Sequence, residues 1–478
     1  MIAASEPGAG RRGRGRVAHP SVEERVARGK AARSSVPRSA HSAWEPPRER
    51  RPPEDVLLEQ AVGRVPELVP IRHGRMLASP FAFFRGAAAL MAADLAGTPQ
   101  SGLPVQLCGD AHLSNFGGFA SPDRELVFDI NDFDETMRGP WEWDVKRLAA
   151  SIAIAGRELG VPTATRRTTL EDAVGSYRRA MRRFATMRNL ELWYARLDVA
   201  RILSHVGDRV TRQERSAFKR RVAGARAKDH LRAMSKLTQR VNGAARIVSR
   251  PPLIVPVEEL SNILTETVEE EMRSLLRAYR RSLPIDRRHL LEGYRYTHMA
   301  RRVGGVGSVG TRTWIVLLIG RNDDDPLFLQ VKQAGSSVLE PYVGRDAARN
   351  HGQRVVQGQR LMQVDGDIFL GWLRATGTDH TARDFYVRQL WDWKLGPDVE
   401  LMSPARLSVY GTLCGWTLAR AHARSGDRVA IAAYLGSGKA FDRVIAAFAE
   451  TYADRNERDH AALEEAARDG RIAAERGV

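Results

Sequence analysis

The segment Gly305-Val306-Gly307-Ser308-Val309-Gly310 matches G-x-G-x-x-G, and the residues immediately after it decide which nucleotide folds stay open to this chain. A dinucleotide-binding fingerprint runs from its glycines into a helix whose N-terminus faces the pyrophosphate. Here the next residues are Thr311-Arg312-Thr313-Trp314-Ile315-Val316-Leu317-Leu318, the β-branched and apolar composition of a strand. The pattern therefore predicts a glycine hairpin between antiparallel strands. Backbone N–H groups of such a hairpin, at Gly305, Gly307, Ser308 and Gly310, can cover phosphates; a plain glycine-rich turn has the same pattern. The other glycine-lysine run, Gly436-Ser437-Gly438-Lys439, is followed by Ala440. It lacks the Ser/Thr that holds Mg²⁺ and the preceding glycine of a P-loop, so it is excluded.

A further strand, Leu327-Phe328-Leu329-Gln330-Val331-Lys332, closes on lysine. An apolar strand ending in Lys just after a glycine hairpin is how protein kinases hold the α- and β-phosphates. That lysine needs a carboxylate partner from the next helix, expected over 345–363, which contains no Glu. Glu340 is the available acid, although Pro341 follows it and favours an extended turn; Gln357 offers only a hydrogen bond.

Upstream, residues 108–117 read Cys-Gly-Asp-Ala-His-Leu-Ser-Asn-Phe-Gly. Asp110 and Asn115 are five apart, the spacing of the base Asp and metal-binding Asn in kinase catalytic loops. His112 lies between them, on the phosphate or acceptor side or simply packing the loop. Then comes Val127-Phe128-Asp129-Ile130-Asn131-Asp132-Phe133-Asp134-Glu135. A carboxylate at a strand end soon after the Asn is where a second Mg²⁺ ligand belongs, because hard Mg²⁺ takes oxygen ligands. Asp132 is the first choice and Asp129 the alternative, with Asp134 a supporting or turn residue. Arg85, Arg302 and Arg312 are candidate anion contacts. Trp372, Trp391 and Trp393 fit core or hinge packing better than a sugar platform.

The chain of 478 residues carries a net charge of +17 and 43% hydrophobic residues, enough for a sizeable core. Residues 1–53 hold twelve Lys/Arg against five Glu, seven prolines and the run Arg11-Arg12-Gly13-Arg14-Gly15-Arg16. Residues 1–54 thus read as a disordered basic arm, a solvated tail or a weak nucleic-acid contact. Two cysteines, Cys108 and Cys414, exclude a disulfide framework and fit reduced thiols of a cytoplasmic protein. No apolar stretch reaches the ~20 residues of a membrane span. Helical patterns cover 80–95, 143–159, most of 165–300 (most clearly 257–283) and everything from Leu407 onward. Strands are expected at 103–108, 125–130, three times within 303–334 around the glycine loop and the turn at 322–326, and at 367–373 and 384–391. The expected layout is α+β: a helical part over 55–300, a β-rich nucleotide-binding part over 301–395, and a second helical part over 396–478.

Gly109-Asp110-Ala-His112-Leu-Ser-Asn115 resembles the His-Gly-Asp-x-His-x-x-Asn loop of aminoglycoside and choline phosphotransferases, with Cys108 in place of their first His. Asp132-Phe133-Asp134 resembles their metal motif, and Asp144-Val-Lys-Arg-Leu-Ala their following helix start, where the Asp buttresses the catalytic loop. From about residue 60 the chain also resembles an uncharacterised bacterial family of unknown function (DUF 2252). Ser79-Pro-Phe-Ala-Phe-Phe-Arg-Gly86, Asn131-Asp-Phe-Asp-Glu135, Gly305-Val-Gly-Ser-Val-Gly-Thr-Arg312 and Leu418-Ala-Arg-Ala-His-Ala-Arg-Ser-Gly426 are typical of it.

The kinase resemblance implies a two-lobed protein-kinase-like fold, with a small antiparallel β lobe and a large helical lobe. Its parts stand in the wrong order, since the catalytic loop precedes the glycine loop. A circular permutation accounts for this, making the helix with Leu418 to His422 the one that ordinarily precedes the catalytic loop. The implied activity is ATP- and Mg²⁺-dependent phosphoryl transfer to a hydroxyl acceptor, a small molecule or a protein. The alternatives are a non-catalytic nucleotide-binding pseudokinase or scaffold and a kinase-fold nucleotidyltransferase.

Overall fold

A computed structural model describes residues 19–42, 44–200, 202, 211–226, 230–260, 265–377, 379–390 and 393–477. The arginine-glycine run of residues 11–16 and Trp391 lie outside them. The fold is a mixed α+β arrangement with antiparallel sheets.

The helical part is built on Trp141–Glu158, Thr163–Thr186, Pro404–Ser425, Arg428–Leu435 and Ala440–Arg468. Their apolar faces meet in one core that includes Leu148, Ile152, Tyr177, Leu418 and Phe448. Trp141 stacks on Tyr177 with ring centres 5.6 Å apart. Helix 404–425 can lie close on 163–186 because a Cβ at Gly415 would stand 2.2 Å from the Ala173 carbonyl oxygen. The expected helix over 80–95 is two, Pro80–Gly86 and Ala88–Ala96, broken at Ala87.

The main sheet has six antiparallel strands in the spatial order 371–376, 382–389, 326–334, 313–319, 295–302, 254–256. Alternation sends successive side chains to opposite faces. Val316, Leu318, Leu327, Leu329, Phe385 and Val387 form one apolar face, covered by helix Thr265–Arg280. On the other face Ile315, Leu317, Ile319 and Phe328 are apolar at one end. The same alternation puts Thr313, Gln330, Lys332, Tyr386 and Arg388 on that face at the end nearer the glycine loop. The register pairs Lys332 with both Thr313 and Tyr386, and Gln330 with Arg388.

Two expectations need correction. Residues 19–42 and 44–54 are not a disordered arm: Ser21 and Glu24 form a capping box at the start of helix Val22–Ser35. That helix packs on 428–435, Arg25 bonds Asp427 at 2.8 Å, and buried His41 bonds the Tyr434 hydroxyl at 2.7 Å. Arg50 bridges Asp94 and Asp459. The arm's arginines neutralise acids some four hundred residues away, which charge counting along the chain cannot register. Secondly, the β-rich part begins before residue 301. Ile254–Pro256 and Arg295–Arg302 are strands of the main sheet, and helix 265–280 is shorter than the 257–283 expected. Pairing of Ile254 with Arg302 takes these residues out of the helical pattern.

Candidate functional site

The short strand Pro104–Leu107 delivers the chain to Cys108-Gly109-Asp110. Gly109 has φ +84°, and a Cβ there would stand 2.3 Å from the Glu135 carbonyl oxygen, so only glycine makes this turn without strain. Asp144, in the first turn of helix 141–158, accepts from the N–H groups of Cys108 at 2.8 Å and Gly109 at 3.0 Å. His422 of helix 404–425 bonds the same carboxylate at 3.1 Å. The loop is thus held from beneath by an acid on one helix and an imidazole on another.

Asn115 Nδ2 donates to the Asp110 carbonyl at 2.8 Å, leaving the amide oxygen Oδ1 for a cation. The Asp110 carboxylate accepts from Arg147 Nε at 2.8 Å through Oδ1, and its Oδ2 stands 3.6 Å from His112 Nε2. Arg147 is itself fixed, donating to the Phe84 carbonyl at 2.7 Å and lying over the Phe84 ring at 3.7 Å. Burial, opposed by Asp110 but reinforced by the cations of Arg147 and Arg85, pushes His112 down to about 4 and keeps its imidazole neutral near pH 7.

Across the cleft, Lys332 pairs with Asp134 Oδ2 and stands 3.7 Å from Asp132 Oδ2. Burial works against the ammonium, but Asp132 and Asp134 outweigh it and hold its pKa above the ordinary lysine value. Burial likewise opposes the Asp132 carboxylate, and Lys332 with Arg388 overcomes it, so Asp132 stays below its ordinary value. Tyr386, the cross-strand neighbour of Lys332, donates to Asp134 Oδ1 at 2.7 Å.

The glycine loop crosses between the strands 295–302 and 313–319, with Val306–Ser308 in a 3₁₀ turn. It is fastened from outside: Arg64 donates to the Gly307 carbonyl at 3.1 Å, Arg75 to that of Gly304 at 2.6 Å, and Val65 N–H to that of Gly310 at 2.7 Å.

These parts share one cavity of about 510 Å³, lined by Asp110, His112, Asn115, Asp132, Asp134 and Lys332. Gly305, Gly307 and Ser308 roof it, and Arg85 and Arg302 also line it. Sequence reasoning missed Arg64, Arg72, Arg388 and Lys394, which bring the lining to seven cationic side chains against four carboxylates. A cleft with that balance favours a polyanion. Among the described residues no group of three or more His, Cys, Asp or Glu side chains is gathered for a metal. Mg²⁺ needs no such cage, because it is held by one or two carboxylates with phosphate oxygens and water. Asp132 and the Asn115 amide oxygen fit that donor set.

Three expectations are redrawn. Asp129 faces away from the cavity, fully buried against Arg420, whose Nη2 lies 2.7 Å and 2.6 Å from its two oxygens. Asp129 lies inside the buried strand Leu126–Ile130 and Asp132 in the turn that follows it, so Asp129 belongs to a structural ion pair. Glu340 is not the partner of Lys332. It opens the four-residue helix Glu340–Val343, which Gly344 at φ +86° sets apart from helix His351–Met362, and it stands 3.6 Å from Arg345. Gln357 is exposed. Helix 351–362 instead contributes Arg354, which donates to the carbonyls of Thr136 at 2.6 Å, Asp134 at 2.8 Å and Gly335 at 3.0 Å. Thirdly, Arg312 lines a different cavity, on the opposite face of the sheet. Trp372 and Trp393 pack against the helical core. Both cysteines are buried and unbridged, and no helix among the described residues is long and apolar enough to cross a membrane.

No curated protein and no solved structure matches the chain. A family model described as an uncharacterized protein conserved in bacteria (DUF2252) matches residues 64–466, spanning the 108–117 loop, the glycine loop and the helix with His422. The chain belongs to that family.

Proposed function

We propose that the cleft transfers the γ-phosphoryl group of a Mg²⁺-bound nucleoside triphosphate, ATP in the first instance, to a hydroxyl acceptor. The observation that carries this reading is the meeting of Lys332 with Asp132 at 3.7 Å, in one cavity with Asp110 and Asn115. The order glycine hairpin, lysine strand, helix, two further strands follows the parts of a kinase nucleotide lobe. The contact of His422 with Asp144 agrees with a circularly permuted kinase-like chain, in which helix 404–425 stands for the one that leads into the catalytic loop.

In this reading Lys332 and the N–H groups of Gly305 and Gly307 bind the triphosphate, the Ser308 N–H being already bonded to the Gly305 carbonyl at 2.9 Å. Asp132 and Asn115 would hold Mg²⁺, which would supply charge neutralisation on the phosphates. Asp110 orients the acceptor hydroxyl and takes its proton as the new O–P bond forms and the bond from Pγ to the β,γ-bridging oxygen breaks. Such general-base help is worth roughly 10²- to 10⁴-fold. Arg147 keeps Asp110 turned the right way.

Mg·ATP binding and ADP release, measured on the wild type and Asp110→Asn, test the proposal. Binding retained with turnover lost supports it; equal turnover in both removes Asp110 from the mechanism. One observation favours a second reading, a nucleotide-binding protein without turnover: Lys332 is engaged by the Asp132–Asp134 pair and has no glutamate from helix 351–362. Mg·ATP binding with no ADP or AMP released would select it, and AMP transfer seen by mass spectrometry would select nucleotidyl transfer.

A further inference from the structure

Three arginines line the cleft, and the proposed donor chemistry gives none of them a phosphate to bind. Arg85 is on helix 80–86, next to Phe84, whose carbonyl anchors the Arg147 that holds Asp110. Arg72 donates from Nη2 to the Gly86 carbonyl at 2.9 Å and to Gln60 Oε1 at 3.1 Å. Arg64 stands beside Arg72 and bonds the Gly307 carbonyl of the glycine loop. All three line the cavity.

Arg72 is the telling member. It is only 1% exposed, yet its Nε and Nη1 have no hydrogen-bond partner among the described residues, and neither has Arg64 Nε. A buried guanidinium left with open donors costs free energy unless a ligand completes it. Burial and the neighbouring Arg64 cation both press the Arg72 pKa down, which is the strain that an arriving anion would relieve. Guanidinium groups grouped in this way match the oxygens of a phosphate, through paired N–H donors.

We propose that Arg64, Arg72 and Arg85 form a phosphate-binding subsite for the acceptor, so that the substrate is a hydroxyl compound already carrying a phosphate group. This rests on the phosphotransferase reading, with the acceptor phosphate seated on the arginines and its free hydroxyl presented to Asp110.

The test is calorimetric titration of the full chain with inorganic phosphate, alone and with saturating Mg·AMP-PNP, and with acetate as a second probe. Phosphate is expected to bind with the nucleotide analogue in place and more tightly than acetate. Arg72→Met should weaken phosphate by about 10- to 100-fold and change AMP-PNP affinity by less than about twofold. Because Arg72 is buried, Arg85→Met, whose side chain is 27% exposed, is measured alongside, with circular dichroism to verify folding. Phosphate displaced one-for-one by AMP-PNP would assign the arginines to the donor and overturn the proposal. So would phosphate binding unchanged in both folded variants, or no tighter than acetate. Failure of AMP-PNP to bind, with phosphate still lost in the variants, defeats the nucleotide reading and leaves the phosphate subsite standing.

Discussion

Lys332 Nζ lies 3.7 Å from Asp132 Oδ2, although one residue lies inside strand 326–334 of the main sheet and the other comes just after strand 126–130, which packs on the helices. Lys332→Met would leave Asp132 and Asp134 without the ammonium that pairs with both. Loss of such an electrostatic contact is expected to cut ATP turnover by about 10²- to 10³-fold, read as ADP release. Mg·ATP affinity should fall with it in a direct binding assay.

Asp129→Asn separates the structural acid from the site acids. Breaking its fully buried pair with Arg420 is expected to cost about 3–5 kcal/mol in chemical denaturation. The folded fraction should keep its Mg²⁺ affinity, whereas Asp132→Asn should lose it with a smaller effect on stability.

Asp144→Asn should act on position. An amide puts an N–H₂ group against one of the two backbone donors that the carboxylate now satisfies, at a cost of about 1–3 kcal/mol. Turnover should drop while the KM for ATP stays within about twofold, because Asp144 touches the loop and not the nucleotide.

Gly109→Ala meets both a left-handed backbone angle of +84° and the Glu135 carbonyl oxygen 2.3 Å from the new Cβ. The expected result is destabilisation of about 1–3 kcal/mol by thermal melting, with loss of turnover in protein that still folds.

The pH dependence of stability draws on His112, whose pKa drops from 6.5 to about 4 on folding. Below pH 6.5 the unfolded chain takes up a proton that the folded imidazole refuses until about pH 4. This contribution is therefore complete above 6.5 and is lost as pH falls through that window. It amounts to something on the order of 3 kcal/mol. Denaturation midpoints measured across the window should fall less steeply for His112→Gln.

The parts of the site that were legible in the sequence are those written within a few neighbouring residues. The glycines at 305, 307 and 310 followed by a strand, the lysine at 332 and the Asp110–Asn115 spacing are local patterns with a mechanical meaning. The parts that were not legible depend on partners distant in the chain. Arg354 and Tyr386 become neighbours of Asp134 only after the sheet closes on the helices. Arg72 looks like any helix arginine until its surroundings are buried. Asp129 and Asp132 have the same composition around them, and only the point where the strand ends, at Ile130, divides a core ion pair from a cleft-lining acid. Helix 22–35 was hidden because its apolar pattern is weak and its support is an ion pair and close helix contact from residues near 430.

Arg354 has a mechanical consequence. One guanidinium clasps three main-chain oxygens, two beside the acidic turn and one just past the lysine strand. Swinging helix 351–362 outward would strand that buried cation among unmet carbonyls, a penalty of several kcal/mol. The cleft therefore comes preset from folding, with no relaxed posture that keeps those bonds.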